Sequence, residues 1–128
     1  MLDLDHFKAV NNDFGHDQGD LVIALLARCA LTHLPNTAVP AHLGGEAFCA
    51  LLPHTDAGPT LAHAQSLRAA FQRDSSALGH SRQHTVSIGI ASTQSSATTL
   101  SLLMSRADKA LYRAKRHGRN RVKTADEP

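Results

Sequence analysis

No strong charge of either sign marks this sequence: 13 Lys and Arg stand against 11 Asp and Glu, a formal +2 over 128 residues. A balance so close excludes net charge as a reason to bind nucleic acid or a membrane surface. Cysteine is scarce as well. Cys29 and Cys49 lie in apolar surroundings without CxxC spacing, which reads as two buried thiols in a reducing compartment. No apolar run approaches the roughly 18 residues of a membrane-spanning helix. The opening MLDLDHFK has neither the basic region nor the long apolar stretch of a secretory leader. The expectation is a soluble, cytoplasmic chain with no membrane segment.

What remains is ordinary globular composition, 42% hydrophobic, in a length that suits one domain. Met1 to Leu4 reads as the tail of a buried strand, and a strand this short with no lead-in implies that part of the domain lies upstream. A short helix over His6 to Asn12 is broken by Gly15. A second helix runs from Asp17 as N-cap to His33, with Leu21, Val22, Leu25, Leu26 and Cys29 on its buried side. Strands over Thr37 to Leu43 and Glu46 to Leu52 flank the hairpin signal Gly44-Gly45, and Pro40 pushes the first of them to an edge. Asp56 and Pro59 open a helix carrying Leu61, Ala64, Leu67 and Phe71. Ser75 to Arg82 is a polar loop, and the alternation of Val86, Ile88 and Ile90 marks a half-buried strand over His84 to Ala91. After a second polar loop, Ser92 to Thr98, a long helix spans Thr99 to His117 with Leu100, Leu103, Ala107, Leu111 and Ala114 on one face. Gly118 caps it, Asn120 to Thr124 returns as a strand, and residues 125–128 form a loose tail. Strands alternating with helices, plus one hairpin, predict an α/β (α+β) sandwich with helices on a mixed sheet.

The chemistry gathers at two places. Asp3 and Asp5 alternate on a strand and so share one face, with Leu4 on the other. Directly after them HFK begins a helix whose free N–H groups suit phosphate oxygens, and Lys8 adds a positive charge. Carboxylate, exposed amides and lysine within six residues are what a metal-bound triphosphate needs. At the hairpin, Gly44 and Gly45 let the backbone approach a ligand, and Glu46 follows where it could join Asp3 across neighbouring strands. The rival reading of that turn alone is a plain hairpin with a surface glutamate. The RAKRH cluster at the end of the long helix suits the helix dipole and phosphate better than nucleic acid. His16 has no separable role, and the other histidines lack the paired spacing of a zinc site.

These segments resemble the GGDEF family of diguanylate cyclases, which join two GTP into cyclic di-GMP. DLDHFKAVNNDFGHDQGD is similar to the opening D-x-D-x-F-K-x-x-N-D-x-x-G-H-x-x-G-D, and LGGEAF stands where GG(D/E)EF is expected. TVSIGIA and SRADKALYRAKRHGRNRV resemble the closing strand and helix. The resemblance implies the palm-like sheet of nucleotidyl cyclases over residues 1–124. It implies that Mg²⁺ or Mn²⁺ is bound by Asp3, the Leu4 carbonyl and Glu46, with Asp3 and Glu46 as the catalytic carboxylates. Amides near His6 and Phe7, with Lys8, Lys115 and Arg119, would hold phosphates. Asn11 and Asp20 would read guanine, and Gly44 and Gly45 would pass beneath the nucleotide. The implied reaction needs a homodimer of domains, and an upstream sensor or regulatory region is the implied neighbour.

The sequence departs from the family pattern in three ways. The fourth signature residue, a glutamate in the family, is Ala47. His42 stands where an arginine usually precedes the signature, and Pro35-Asn36-Thr37-Ala38 replaces the Arg-x-x-Asp of a product-inhibition site, so feedback binding there is expected to be lost. The helical segment that opens family domains, with its Asp-x-Leu-Thr and Asn-Arg pattern, has no counterpart. Three readings follow: a cyclase, a degenerate GTP-binding regulatory domain without turnover, or a plain protein-interaction remnant with neither binding nor turnover.

Overall fold

The alternation along Met1–Leu4 and Val86–Ile90 becomes the centre of a five-stranded mixed sheet in the computed structural model, which describes residues 1–125. Five strands, β1 (Leu2–Leu4), β2 (Val39–Gly44), β3 (Ala47–Leu51), β4 (Val86–Ile90) and β5 (Val122–Thr124), lie in the order β2-β3-β1-β4-β5. β1 is antiparallel to both neighbours, and only β4 and β5 run parallel. The helices are α1 (Phe7–Phe14), α2 (His16–His33), α3 (Ala57–Asp74) and α4 (Leu100–Arg116).

Strand partners share a face, so the register sorts the side chains. Leu2 pairs with Phe48 and Ile88, and Ile88 with Val122; these join Leu4, Val86 and Ile90 in one core with Val22, Leu26, Leu67 and Phe71 of α2 and α3. The opposite face carries Asp3, Ala47, Ser87 and Gly89, and α4 lies across it, with Ala107 and Leu111 against Gly89. The expectation of a half-buried β4 is therefore corrected. All five of its residues are buried, because small Ser87 and Gly89 make room for a helix rather than for water.

Other boundaries shift for local reasons. The N-cap of α2 is Gly15, not Asp17, which instead sits in the first turn and complements the helix dipole. Leu21 and Leu100, expected in the core, are exposed, since the buried arcs of their helices centre on Val22/Leu26 and Ala107/Leu111. Cys29 is buried as expected, with burial and then the Asp74 carboxylate raising its thiol pKa; Cys49 is only half-buried. Pro40 does lie on the edge strand. Thr99 caps α4 by accepting from the Leu102 amide. The helix ends in a paired turn, Gly118 N–H to Lys115 O and Arg119 N–H to Ala114 O, the bond pattern of a Schellman cap. Of the expected tail, Ala125 donates to Ile90 O at 2.7 Å, and residues 126–128 lie outside the described residues.

The segment expected as a loop, Ser75 to Arg82, opens with a 3-10 turn at Ser75–Leu78 and then builds a histidine stack. His80 lies flat on Phe14 with centroids 4.2 Å apart, its Nε2 bonds Gln18 Oε1 at 2.8 Å, and its Nδ1 meets His84 Nε2 at 2.7 Å. The Gln18 carbonyl can only accept, so His80 carries its proton on Nε2 and His84 donates to Nδ1. Burial first, then His80 and Arg82, push the His84 pKa from 6.5 to about 4. An unfolded chain takes up that proton near pH 6.5 and the folded one only near 4, so stability falls as pH drops through this window. Between pH 7 and pH 4.5 the native chain is expected to lose about 2 kcal/mol more than His84→Gln in urea unfolding. Equal losses would remove His84 as the cause.

Candidate functional site

Two acidic residues leave β1 toward the face that α4 covers. Asp3 lies within the strand and Asp5 one step beyond it, and each is less than a tenth exposed. Asp3 is bonded by the Lys115 ammonium from the last turn of α4. Burial raises the Asp3 pKa, Lys115 opposes this by hydrogen bond and charge, and the nearby Glu46 and Asp5 carboxylates add to the rise. Glu46 sits half-exposed on the β2–β3 turn, and its carbonyl accepts the Leu4 amide at 3.1 Å. The fold thus brings Asp3, Leu4, Glu46 and Lys115 into one place from three chain segments.

Gly44 and Gly45 form the turn with positive φ of 125° and 51°, and nothing lies within 4 Å of the space a side chain would fill. His42, where the resemblance expects an arginine, stacks on Phe48 and its Nε2 meets Gly45 O at 2.8 Å, so it braces the turn. Ala47 is the register partner of Asp3, on the same face.

His6 precedes α1 in a left-handed conformation, φ 56°, and Phe7 and Lys8 form its first turn, Lys8 exposed. Asn11 lies on α1 and Asp20 on α2. Asn11 Oδ1 occupies the space a side chain at Gly19 would fill, and it is buried without a hydrogen-bond partner. A side chain at Gly19, the neighbour of Asp20, would push the Asn11 amide aside. Arg119, on the turn after α4, is exposed with φ 64°. The structure does not join Asn11 or Asp20 to Asp3 by any direct bond among the described residues.

Sequence reasoning paired Asp5 with Asp3 but assigned it no role. Its Oδ2 accepts from Thr85 Oγ1 at 2.8 Å and from the Asn120 amide at 3.0 Å, and its Oδ1 accepts from Ser87 Oγ at 2.6 Å. The only sequence signal was the alternation itself, because these partners lie 80 to 115 positions away.

The chemistry of the donor set tests the fit to a metal. Asp3 and Glu46 offer hard carboxylate oxygens, as Mg²⁺ or Mn²⁺ prefers, and Lys115 already holds a cation against Asp3. The residues fit a divalent ion at Asp3, although among the described residues no three His, Cys, Asp or Glu side chains cluster as a ready metal cage.

The family described as "Diguanylate cyclase, GGDEF domain" matches residues 1–121. The chain belongs to the GGDEF family. Diguanylate cyclase A of Treponema denticola is 36% identical over 123 residues, covering 95% of this chain and 33% of that protein. Response regulator PleD of Caulobacter vibrioides is 34% identical over 125 residues, 95% of this chain and 28% of its own length. This GGDEF chain thus spans a third or less of these curated relatives. The GGDEF domain of DgcB from Caulobacter crescentus, solved in complex with c-di-GMP, superposes with a TM-score of 0.90 at 33% identity, covering 98% of this chain and 75% of that one. The active GGEEF domain of a diguanylate cyclase from Vibrio cholerae superposes at 0.88 with 29% identity, over 99% and 81% of the two chains. The expected sandwich fold is borne out by these superpositions. No helix among the described residues is long and apolar enough to cross a membrane.

Proposed function

We propose that this GGDEF chain is a diguanylate cyclase domain that condenses two GTP molecules into cyclic di-GMP. The observation that carries the reading is Asp3: a buried carboxylate at the mouth of the site, faced by Glu46 and held by Lys115. Asp3, the Leu4 carbonyl and Glu46 would hold Mg²⁺ or Mn²⁺, which supplies charge neutralisation at the α-phosphate. Lys115 guards the Asp3 carboxylate until a triphosphate arrives, then turns to the terminal phosphates together with Arg119. Amides at His6 and Phe7, with Lys8, take the remaining phosphate oxygens. Asn11 and Asp20 read guanine, since an amide and a carboxylate match an edge that adenine lacks. The 3′-hydroxyl of one GTP attacks the α-phosphate of the other in line; the new P–O bond forms as the α–β bond breaks, the hydroxyl proton passes to solvent and pyrophosphate leaves. The reciprocal attack closes the ring with loss of a second pyrophosphate and proton. Two sites must face each other for this, so the active species is a dimer, and a region upstream of this domain would control it.

Purified chain given GTP and Mg²⁺ tests the proposal. Cyclic di-GMP is expected from the native protein and less than about one-hundredth of it from Asp3→Asn. Folded, dimeric native protein that forms no product would end the cyclase reading.

One observation favours a second reading. The position opposite Asp3 in the β1–β3 register carries a methyl group instead of a carboxylate. A domain so altered could bind GTP and regulate its neighbours without turnover. Tight, metal-dependent GTP binding without product is its signature, and absence of binding would exclude it.

A further inference from the structure

We propose that Asp5 is a positioning residue: its buried carboxylate shapes the turn from which Arg119 reaches the terminal phosphates. The inference rests on the phosphate-binding reading above and extends it to a residue that touches no ligand. A buried carboxylate persists only when its oxygens are filled, and an apolar side chain would cost less to bury. Asp5 therefore has work beyond packing. Two of its three donors are hydroxyls of the adjoining strand segment, Thr85 and Ser87. The third is the backbone amide of Asn120, which comes from the turn after α4.

That turn is strained. Arg119 and Asn120 have φ of 64° and 46°, two consecutive non-glycine residues in the left-handed region. Such a pair persists only where its surroundings over-determine it. Here they do. The Asn120 amide is held by Asp5, its Oδ1 accepts from Arg68 Nη1 at 2.9 Å, and its Nδ2 donates to Gln72 Oε1 at 3.2 Å. On the other side the Arg119 amide closes α4 on Ala114 O at 2.9 Å. The backbone of Arg119 is thus clamped from both directions, while its side chain stands exposed. β1 and the residue just beyond it set both ends of the phosphate grip: Asp3 meets Lys115 in the helix, and Asp5 meets the turn that follows it.

Binding of GTP and of GMP, each with Mg²⁺, is the test, measured by calorimetry on the native chain and on Asp5→Ala, Asp5→Asn and Arg68→Ala. Arg119 meets only the terminal phosphates, so its misplacement lowers GTP affinity and leaves GMP affinity alone. The native chain is expected to prefer GTP by a hundredfold or more. Asp5→Ala is expected to lose at least tenfold of that preference with GMP affinity unchanged within twofold. Asp5→Asn is expected to keep it within threefold, because an amide oxygen still accepts from Asn120 and the Ser87 hydroxyl can turn to accept from the amide nitrogen. Arg68→Ala, on α3 and away from the nucleotide, is expected to lose about threefold and decides the matter if Asp5→Ala does not fold. The inference is overturned if the preference survives in folded Asp5→Ala, if GTP and GMP affinities fall together, or if Arg68→Ala matches the native chain while Asp5→Ala is unfolded. A native chain that binds neither nucleotide, or both alike, overturns the phosphate-binding reading and this inference with it.

Discussion

Ala47→Glu is expected to raise cyclic di-GMP formation about a hundredfold over the native chain, and to lower the Mg²⁺ concentration needed by about tenfold. The expectation comes from the register. Ala47 is paired with Asp3 across β1 and β3, on the same face, and directly opposed residues of an antiparallel pair have Cβ atoms only about 5 Å apart. A glutamate there places a carboxylate beside Asp3 and next to Glu46 without any change of backbone. Alanine leaves Asp3 and Glu46 as the only carboxylates proposed to hold metal, and burial together with the Glu46 and Asp5 charges raises the Asp3 pKa.

The same substitution has a cost that makes the test sharper. Without metal, one more carboxylate beside Asp3 and Glu46 adds like-charge repulsion, so the variant without Mg²⁺ is expected to be slightly less stable than the native chain. With Mg²⁺ the order is expected to reverse, because an ion that binds only the folded state stabilises it. Thermal unfolding with and without Mg²⁺ reads both. Product formation equal in the two proteins would show that position 47 does not limit the reaction. Product from the variant alone would make the natural chain a binder, the second reading above.

Much of this was legible in the residues, and the gaps have physical causes. Strand alternation placed Asp3 and Asp5 on one face, and Gly44-Gly45 and Gly118 marked turns that only a positive φ allows. The second buried face of β4 was hidden because Ser87 and Gly89 look like solvent-facing residues when the helix that covers them lies further along the chain. The histidine stack and the Asp5 hub were hidden for the same reason: their partners are spread over the chain, and neither composition nor periodicity records a contact of that span. Leu21 and Leu100 misled in the opposite sense. Both fit helical spacing, but a helix buries an arc, and each lies outside the arc of its own helix.

Gly89→Ala is expected to destabilise the domain by about 3 kcal/mol or more and to weaken GTP binding as well. The cause is backbone meeting backbone. A Cβ at Gly89 would collide with the carbonyl oxygen of Ala107 and the amide nitrogen of Leu111, and would lie 2.8 Å from Leu111 Cα. No side chain can rotate away to relieve this. β4 cannot retreat either, because Val86 and Ile88 on its other face are 0% and 3% exposed against the core of α2 and α3. α4 must therefore lift, and it carries Lys115 away from Asp3 and alters the turn that bears Arg119. Gly58→Ala is the control. Gly58 lies in the first turn of α3 with nothing within 4 Å of its missing Cβ, so alanine there is expected to be neutral or to stabilise by about 0.5 kcal/mol. Denaturant unfolding of both variants, with GTP titration of whichever fold, separates a steric cause from a generic loss of glycine. If Gly89→Ala stays within about 1 kcal/mol of the native chain, the close approach of α4 to β4 is not what holds Lys115 in place.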